Sequence, residues 1–313
     1  MDKIKSLIIK LNAVDILVVV FSFFLTILGL IFHDRIYYWD KIVVANIFLN
    51  IFVFALAYYN SKTYNAFTRQ LSFWYLFPMM FLIYKELYFI IGPLRQVTYD
   101  DVLIKIDKFL FGSNPIIWLQ KIANPYLTEL LQIVYGTFFF LPIILGVVLL
   151  WTNRKKEIDY MTFIIVLGFF LSYIGYILVP AIGPRFTLHS FYNISHELPG
   201  LFLTDILREI VNAGESIPSG TINPALMVQR DVFPSGHTQM TLLIMYLSVK
   251  FNSKSRYFFI PNGILLIFAT IYLRYHYAID LIAGAAFALL TVVLGKYLYN
   301  KWMDKKGEER IPY

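Results

Sequence analysis

The feature that most limits this chain is a series of apolar runs, most of them close to the length a helix needs to cross a bilayer; the run at 237–250 is short and starts in a polar motif, which leaves the count between six and eight spans. They fall at 13–32, 42–59, 71–92, 127–151, 161–182, 237–250, 257–273 and 279–299. About 20 apolar residues span about 30 Å of hydrocarbon as a helix. Only helices and closed barrels satisfy every backbone polar group there. Eight runs of this kind predict an all-α, polytopic integral membrane protein. The composition agrees: of 313 residues, 58% are hydrophobic and 15% charged, against about 45–50% and about 25% in a soluble domain. The first run has no small-residue cleavage site after it, so it reads as a span and not as a signal peptide. The chain has no cysteine, which excludes disulfides and thiolate metal or redox sites.

The net charge of +7 is informative through its placement. Lys3, Lys5 and Lys10 precede the first run, and Lys62 and Arg69 lie between the second and third. Arg154, Lys155 and Lys156 follow the fourth, Lys250, Lys254 and Arg256 the sixth, and Lys301, Lys305, Lys306 and Arg310 the last. The opposite loops mix signs: Asp34 with Arg35, Asp100 and Asp101 with Lys105, Glu197 with Arg208. Alternate basic loops place both termini in the cytoplasm. The basic excess is then a topology signal, and nucleic acid is not expected as a partner. The lysine-rich composition fits a bacterial plasma membrane.

Two non-cytoplasmic loops are long. Residues 93–126 hold the amphipathic pieces DDVLIKIDKFLFG and PIIWLQ, which read as short interfacial helices. Residues 183–236 hold FLTDILREIVNAG, apolar at helical spacing. Loops of this length with helices of their own usually cover a site, although 93–126 is equally well read as headgroup packing.

The chemistry gathers at the outer ends of the last four runs: Val179 to Phe186 around Gly183-Pro184-Arg185, Phe233 to Thr238, and Tyr272 to Asp280. The topology puts all three on the non-cytoplasmic side. Pro234-Ser235-Gly236-His237 starts a helix with Ser235 as N-cap, and its first N–H groups point outward unpaired. Such a terminus binds anions, and Gly236 allows close approach to the backbone. Arg185 and Arg274 supply guanidinium donors suited to phosphate oxygens. His276 and Asp280 are four apart and share a helix face. A carboxylate on one imidazole nitrogen fixes the tautomer and makes the other more basic. This describes a nucleophilic His276 oriented by Asp280, with His237 as general acid. No carboxylate cluster of the metal-binding kind is evident, so no metal and no cofactor is expected. Against this stand blander readings: a capping histidine, an interfacial hydrogen-bonded pair, and arginines snorkelling to headgroups.

These residues resemble the type-2 phosphatidic acid phosphatase superfamily, whose outline is K-x6-R-P, then P-S-G-H, then S-R-x5-H-x3-D. The second block is complete at 234–237. The third survives as His276 and Asp280, followed by Leu281-Ile282-Ala283-Gly284, and the first only as Gly183-Pro184-Arg185. The resemblance covers roughly 160–299. It implies a six-helix phosphatase core within 71–300, with about two further transmembrane helices in 1–70 and a basic cytoplasmic tail at 301–313. It also implies a lipid phosphate or diphosphate substrate, a phosphohistidine intermediate, and phosphate contacts from Arg185, Ser235, Gly236 and Arg274.

The departures are specific. Leu178 stands where the family has its lysine, Thr270 where it has an arginine, and Ala269 replaces the serine before it. Arg274 is only two residues before His276. This loss of cations is similar to the lipid phosphotransferase branch, including inositol phosphorylceramide and sphingomyelin synthases, as is Asp107-Lys108-Phe109-Leu110-Phe111-Gly112 followed by Pro115. The expected activity is a metal-independent lipid-phosphate phosphatase; the alternative is transfer of a phospho-headgroup to an alcohol. A non-catalytic transporter is a weaker rival, since no internal repeat or midplane break is visible. Lys85 and Glu86 inside the third run either contribute a cation or form an internal ion pair, Glu129 being a candidate partner. His33, His189 and His196 read as surface residues in outer loops.

Overall fold

A computed structural model describes residues 7–63 and 65–312. Lys3 and Lys5 lie outside the described residues, as does the side chain of Arg69. The described residues form helices and no strand. In chain order the main helices are α1 (Ala13–Ile31), α2 (Trp39–Lys62), α3 (Ala66–Trp74), α4 (Leu76–Leu94), α5 (Asp100–Phe111), α6 (Pro115–Gln120), α7 (Pro125–Gly136) and α8 (Phe140–Trp151). They continue as α9 (Lys155–Leu178), α10 (Thr204–Gly214), α11 (Gly236–Lys250), α12 (Arg256–Tyr272) and α13 (Ala278–Lys306). Single turns occupy parts of 184–197 and 224–227.

All eight apolar runs are helical, but not all are of spanning length. Ala13–Ile31, Trp39–Lys62, Gln70–Leu94, Lys155–Leu178 and Ala278–Lys306 are each long and apolar enough to cross a membrane. The expected single span at 127–151 is instead the pair α7 and α8, bent by 54°. Pro142 has no N–H for the carbonyl of Phe138, which removes a helical hydrogen bond at this turn and favours the bend. The 15 residues of α11 and 17 of α12 rise about 22 and 25 Å, short of the hydrocarbon thickness. Five of the helices, or six with the bent pair counted as one, are thus of spanning length and composition among the described residues.

Local sequence explains the helix starts. Asn114 and Asn124 accept hydrogen bonds from the amides of Ile116 and Leu127. Each is followed by a proline at the first helical position, where the missing N–H costs nothing. Asn12 and Asp15 form a reciprocal capping box at the start of α1.

The chain forms two compact units. The first contains the residues up to Gln96, Leu149–Tyr173 and those from Leu290 onward. Here the ring of Phe21 stacks on Phe170 at 4.1 Å between centroids, and the Tyr75 hydroxyl donates to Asp15 at 2.7 Å. Glu86 accepts from the amide of Asn46 at 2.8 Å, while the Lys85 ammonium lies over the rings of Phe81 and Tyr84.

The second unit, Val97–Val148 and Ile174–Leu289, carries every residue singled out for chemistry. Its elements approach closely around the Pro234–Ser235 turn. A Cβ on Gly284 would lie 2.6 Å from the Ser235 carbonyl oxygen, and one on Gly175 would lie 2.3 Å from the Pro234 ring. Only hydrogen in place of a side chain lets α9 and α13 pack this tightly against the turn that starts α11.

Candidate active site

The scaffold of the site begins with α5. Asp100 and Asp107 are seven apart and face the same way, and both are fully or almost fully buried. Asp100 accepts from the amides of Ile182 and Gly183 and from the Tyr277 hydroxyl, the last two at 2.8 Å. Asp107 accepts from the amides of Ala278 at 2.9 Å and Ile279 at 2.8 Å. These are the first residues of α13, so Asp107 caps that helix from outside and places a negative charge at its positive end. One helix thereby ties the turn leading to Arg185 to the start of the His-x3-Asp segment. The amphipathic pattern of 93–126 suggested a helix at the membrane interface, and its buried carboxylates give that helix a second role as a clamp.

Ser235 caps α11 as its sequence implies, accepting from the Thr238 amide at 3.2 Å. Its own N–H donates to the Asp280 carbonyl at 3.0 Å, which joins P-S-G-H to H-x3-D directly. His276 sits between two partners. Its Nε2 is 3.4 Å from His237 Nδ1, and its Nδ1 is 3.4 Å from Asp280 Oδ2. Asp280 is held in turn by the Tyr277 amide at 2.7 Å. His276 Nδ1 and Asp280 Oδ1 are buried without a hydrogen-bond partner. Burial pushes the His276 pKa down to about 4, against the upward pull of Asp231 and the Val232 backbone, with Arg185 adding to the depression. The imidazole is therefore neutral near pH 7, the form a nucleophile requires.

A row of stacked groups fixes the other members. The Arg185 guanidinium lies 4.7 Å over the Tyr275 ring, Tyr275 stacks on Tyr135 at 4.4 Å, and Tyr135 stacks on His237 at 4.6 Å. Phe138 closes on the His237 ring at 4.1 Å. Cation–π and ring-stacking contacts of this kind orient as well as attract. Arg185 is 4% exposed; it donates to Asn212 at 2.8 Å and forms an ion pair with Glu215.

Arg274 is placed differently. It stands at φ 67° just after α12, a left-handed position that turns the chain away from the helix. Its guanidinium forms an ion pair with Glu197, which also accepts from His189 Nδ1 at 3.1 Å. His189 is thus a partnered, half-buried residue and not the surface histidine expected from its loop. Burial, and then the Arg274 charge, lower its pKa. Arg274 is 1% exposed, yet its Nη2 has no partner. Of the departures from the family outline, Leu178 is exposed, Ala269 is buried, and Thr270 is buried with its hydroxyl donating to the Ile267 carbonyl. Glu129 accepts from the backbone amides of residues 201–204 and from the Thr204 hydroxyl.

The structure thus brings together His276, His237, Asp280, Ser235, Gly236 and Arg185, and holds Arg274 on Glu197. Sequence reasoning missed Asp100, Glu197, Glu215, Asn212, Tyr135 and the role of Asp107. Two acids at i and i+7 on an otherwise apolar face were the available signal for the clamp.

Two outcomes follow. Asp107→Ala orphans two buried N–H groups, at about 1–3 kcal/mol each; thermal unfolding in detergent should show that loss together with lower turnover. Asp107→Asn, which keeps one acceptor oxygen, should lose less; equal loss in both would contradict the capping role. The His276 pKa lies below its unfolded value, so the unfolded chain binds the proton more readily on acidification. Its contribution to stability is complete above about pH 6.5, the unfolded imidazole value, and is lost as the pH falls towards 4. Melting curves of His276→Gln should therefore depend less on pH over that window than wild type; parallel curves would refute the assignment.

A family model for the PAP2 superfamily matches residues 102–294. No curated protein and no solved structure matches the chain. The family match begins inside α5, so it takes in Asp107 as well as the P-S-G-H and H-x3-D blocks. It covers more than half of the chain, and the chain belongs to the PAP2 superfamily.

Proposed function

We propose that this PAP2 protein is a metal-independent phosphatase of lipid phosphates or diphosphates that works through a phosphohistidine on His276. The observation that carries the reading is the line Asp280–His276–His237, with 3.4 Å on each side of the central ring. His276 Nε2 attacks phosphorus while Asp280 holds the imidazole and balances its growing charge. His237 gives its proton to the leaving oxygen, an alkoxide from a monophosphate or a lipid phosphate from a diphosphate, as its bond to the attacked phosphorus breaks. Water then attacks the phosphohistidine, His237 takes its proton, and free phosphate leaves. Arg185 and the Gly236 amide at the head of α11 bind phosphoryl oxygens, with Ser235 shaping that terminus. The unpartnered Nη2 is the part of Arg274 available to substrate. The lipid tail stays in the bilayer, and the basic loops put both termini in the cytoplasm and the site on the opposite, outer face.

One observation favours a second reading, transfer of a phospho-headgroup to an alcohol. His276 is 4% exposed, and Asp280 and Ser235 are fully buried, a setting that keeps bulk water from a reactive phosphohistidine.

The test is phosphate release by the purified protein in detergent with chelator present, offering phosphatidic acid and a polyprenyl diphosphate. Wild type should release phosphate, and His276→Ala should lose at least about a thousandfold in kcat, as expected for removal of a covalent nucleophile. Equal turnover in the two proteins would sink the mechanism. A new phospholipid without free phosphate, formed when an alcohol is added, would select the transferase.

A further inference from the structure

The proposed mechanism leaves one buried pairing without a role. Arg185, the cation that acts electrostatically on His276, carries a glutamate. Glu215 immediately follows α10 and forms an ion pair with its guanidinium. The cation assigned above to a phosphoryl group thus carries a counter-charge of its own.

Glu215 is not needed to hold Arg185 in place. The guanidinium also donates to Asn212 at 2.8 Å. It lies 4.9 Å over Phe186 and 4.7 Å over Tyr275, with Phe191 at 5.9 Å. It also sits at the C-terminal end of α10, where the helix dipole favours a cation. The two partners differ in their access to water: the Arg185 side chain is 4% exposed and that of Glu215 is 18% exposed. Glu215 is followed by Ser216 at φ 69°, so it lies where the helix ends and the chain turns. A carboxylate in that position regains hydration by swinging outward, whereas the arginine cannot leave its rings.

We propose that Glu215 is a tethered counter-anion: between turnovers it occupies the face of Arg185 that receives a phosphoryl oxygen, and substrate binding displaces it. The inference rests on the phosphoryl-transfer reading above and adds a gate to that site. It gives Glu215 two effects. It removes the cost of an unpaired buried cation between turnovers. It also weakens the binding of every phosphate-like anion, since only the fraction of molecules with Glu215 swung away is competent to bind. Free phosphate, held by the headgroup contacts alone, is then released more readily than a lipid phosphate, whose tail also binds.

The test compares wild type, Glu215→Gln and Glu215→Asp. Calorimetry measures orthovanadate binding in detergent, and steady-state kinetics measure KM and kcat on phosphatidic acid. Removing the competing charge should tighten orthovanadate binding and lower KM by about tenfold if the displaced state is one molecule in ten, with the effect on KM rather than kcat. Glu215→Asp keeps the charge with one methylene less and should shift both constants in the same direction by a smaller amount. Unchanged or weaker orthovanadate binding in either folded variant, alongside an active wild type, would overturn the gate. If Glu215→Gln does not fold, Glu215→Asp decides the question alone. A wild type that neither binds orthovanadate nor turns over lipid phosphate would instead defeat the functional reading on which the gate rests.

Discussion

Two carboxylates on α5 hold the chemistry in place. Asp107 takes up the first amides of α13, and Asp100 takes up the amides of Ile182 and Gly183 together with the Tyr277 hydroxyl. A buried carboxylate is costly unless its lone pairs are filled, and here backbone N–H groups that would themselves be orphaned fill them. Each side resolves the other's deficit. Because Asp280 is the third residue of α13, the cap that starts this helix also sets the carboxylate behind His276. The Ser235–Asp280 backbone bond then fixes P-S-G-H against the same helix.

The electrostatics of the site follow from that burial. His276 is kept neutral because protonation would place a charge in a closed region, and Arg185 is tolerated there because Glu215, Asn212 and a row of rings surround it. The stack from Arg185 through Tyr275 and Tyr135 joins the guanidinium to the His237 ring through contact alone. The arrangement suits a reaction in which charge is created and discharged with little rearrangement.

What was legible in the sequence was local. P-S-G-H and H-x3-D each keep their members close along the chain, although His276 precedes α13 and so meets Asp280 across the start of that helix and not along a shared helix face. The apolar runs likewise identify the helices. The fold departs from that reading where backbone chemistry intervenes, near Pro142, where the expected fourth span bends by 54°, while the short run at 237–250 is short in the structure too, as α11. The partners that hold the site lie far away along the chain. Asp107 reaches Ala278 across 171 residues, Asp100 reaches Tyr277 across 177, and Glu197 meets Arg274 across 77. No periodicity records such pairings. Arg274 illustrates the limit: its distance from His276 in sequence is short, but the left-handed turn after α12 directs it to Glu197.

The central claim is that phosphorus becomes covalently bound to His276. Its most direct measurement is a rapid quench of the detergent-solubilised protein with a lipid phosphate labelled in the phosphoryl group, followed by peptide mapping. The account predicts label stable to alkali and labile to acid on the peptide containing His276, and none in His276→Ala. Label on another residue, or turnover with no protein-bound label in either protein, would contradict it.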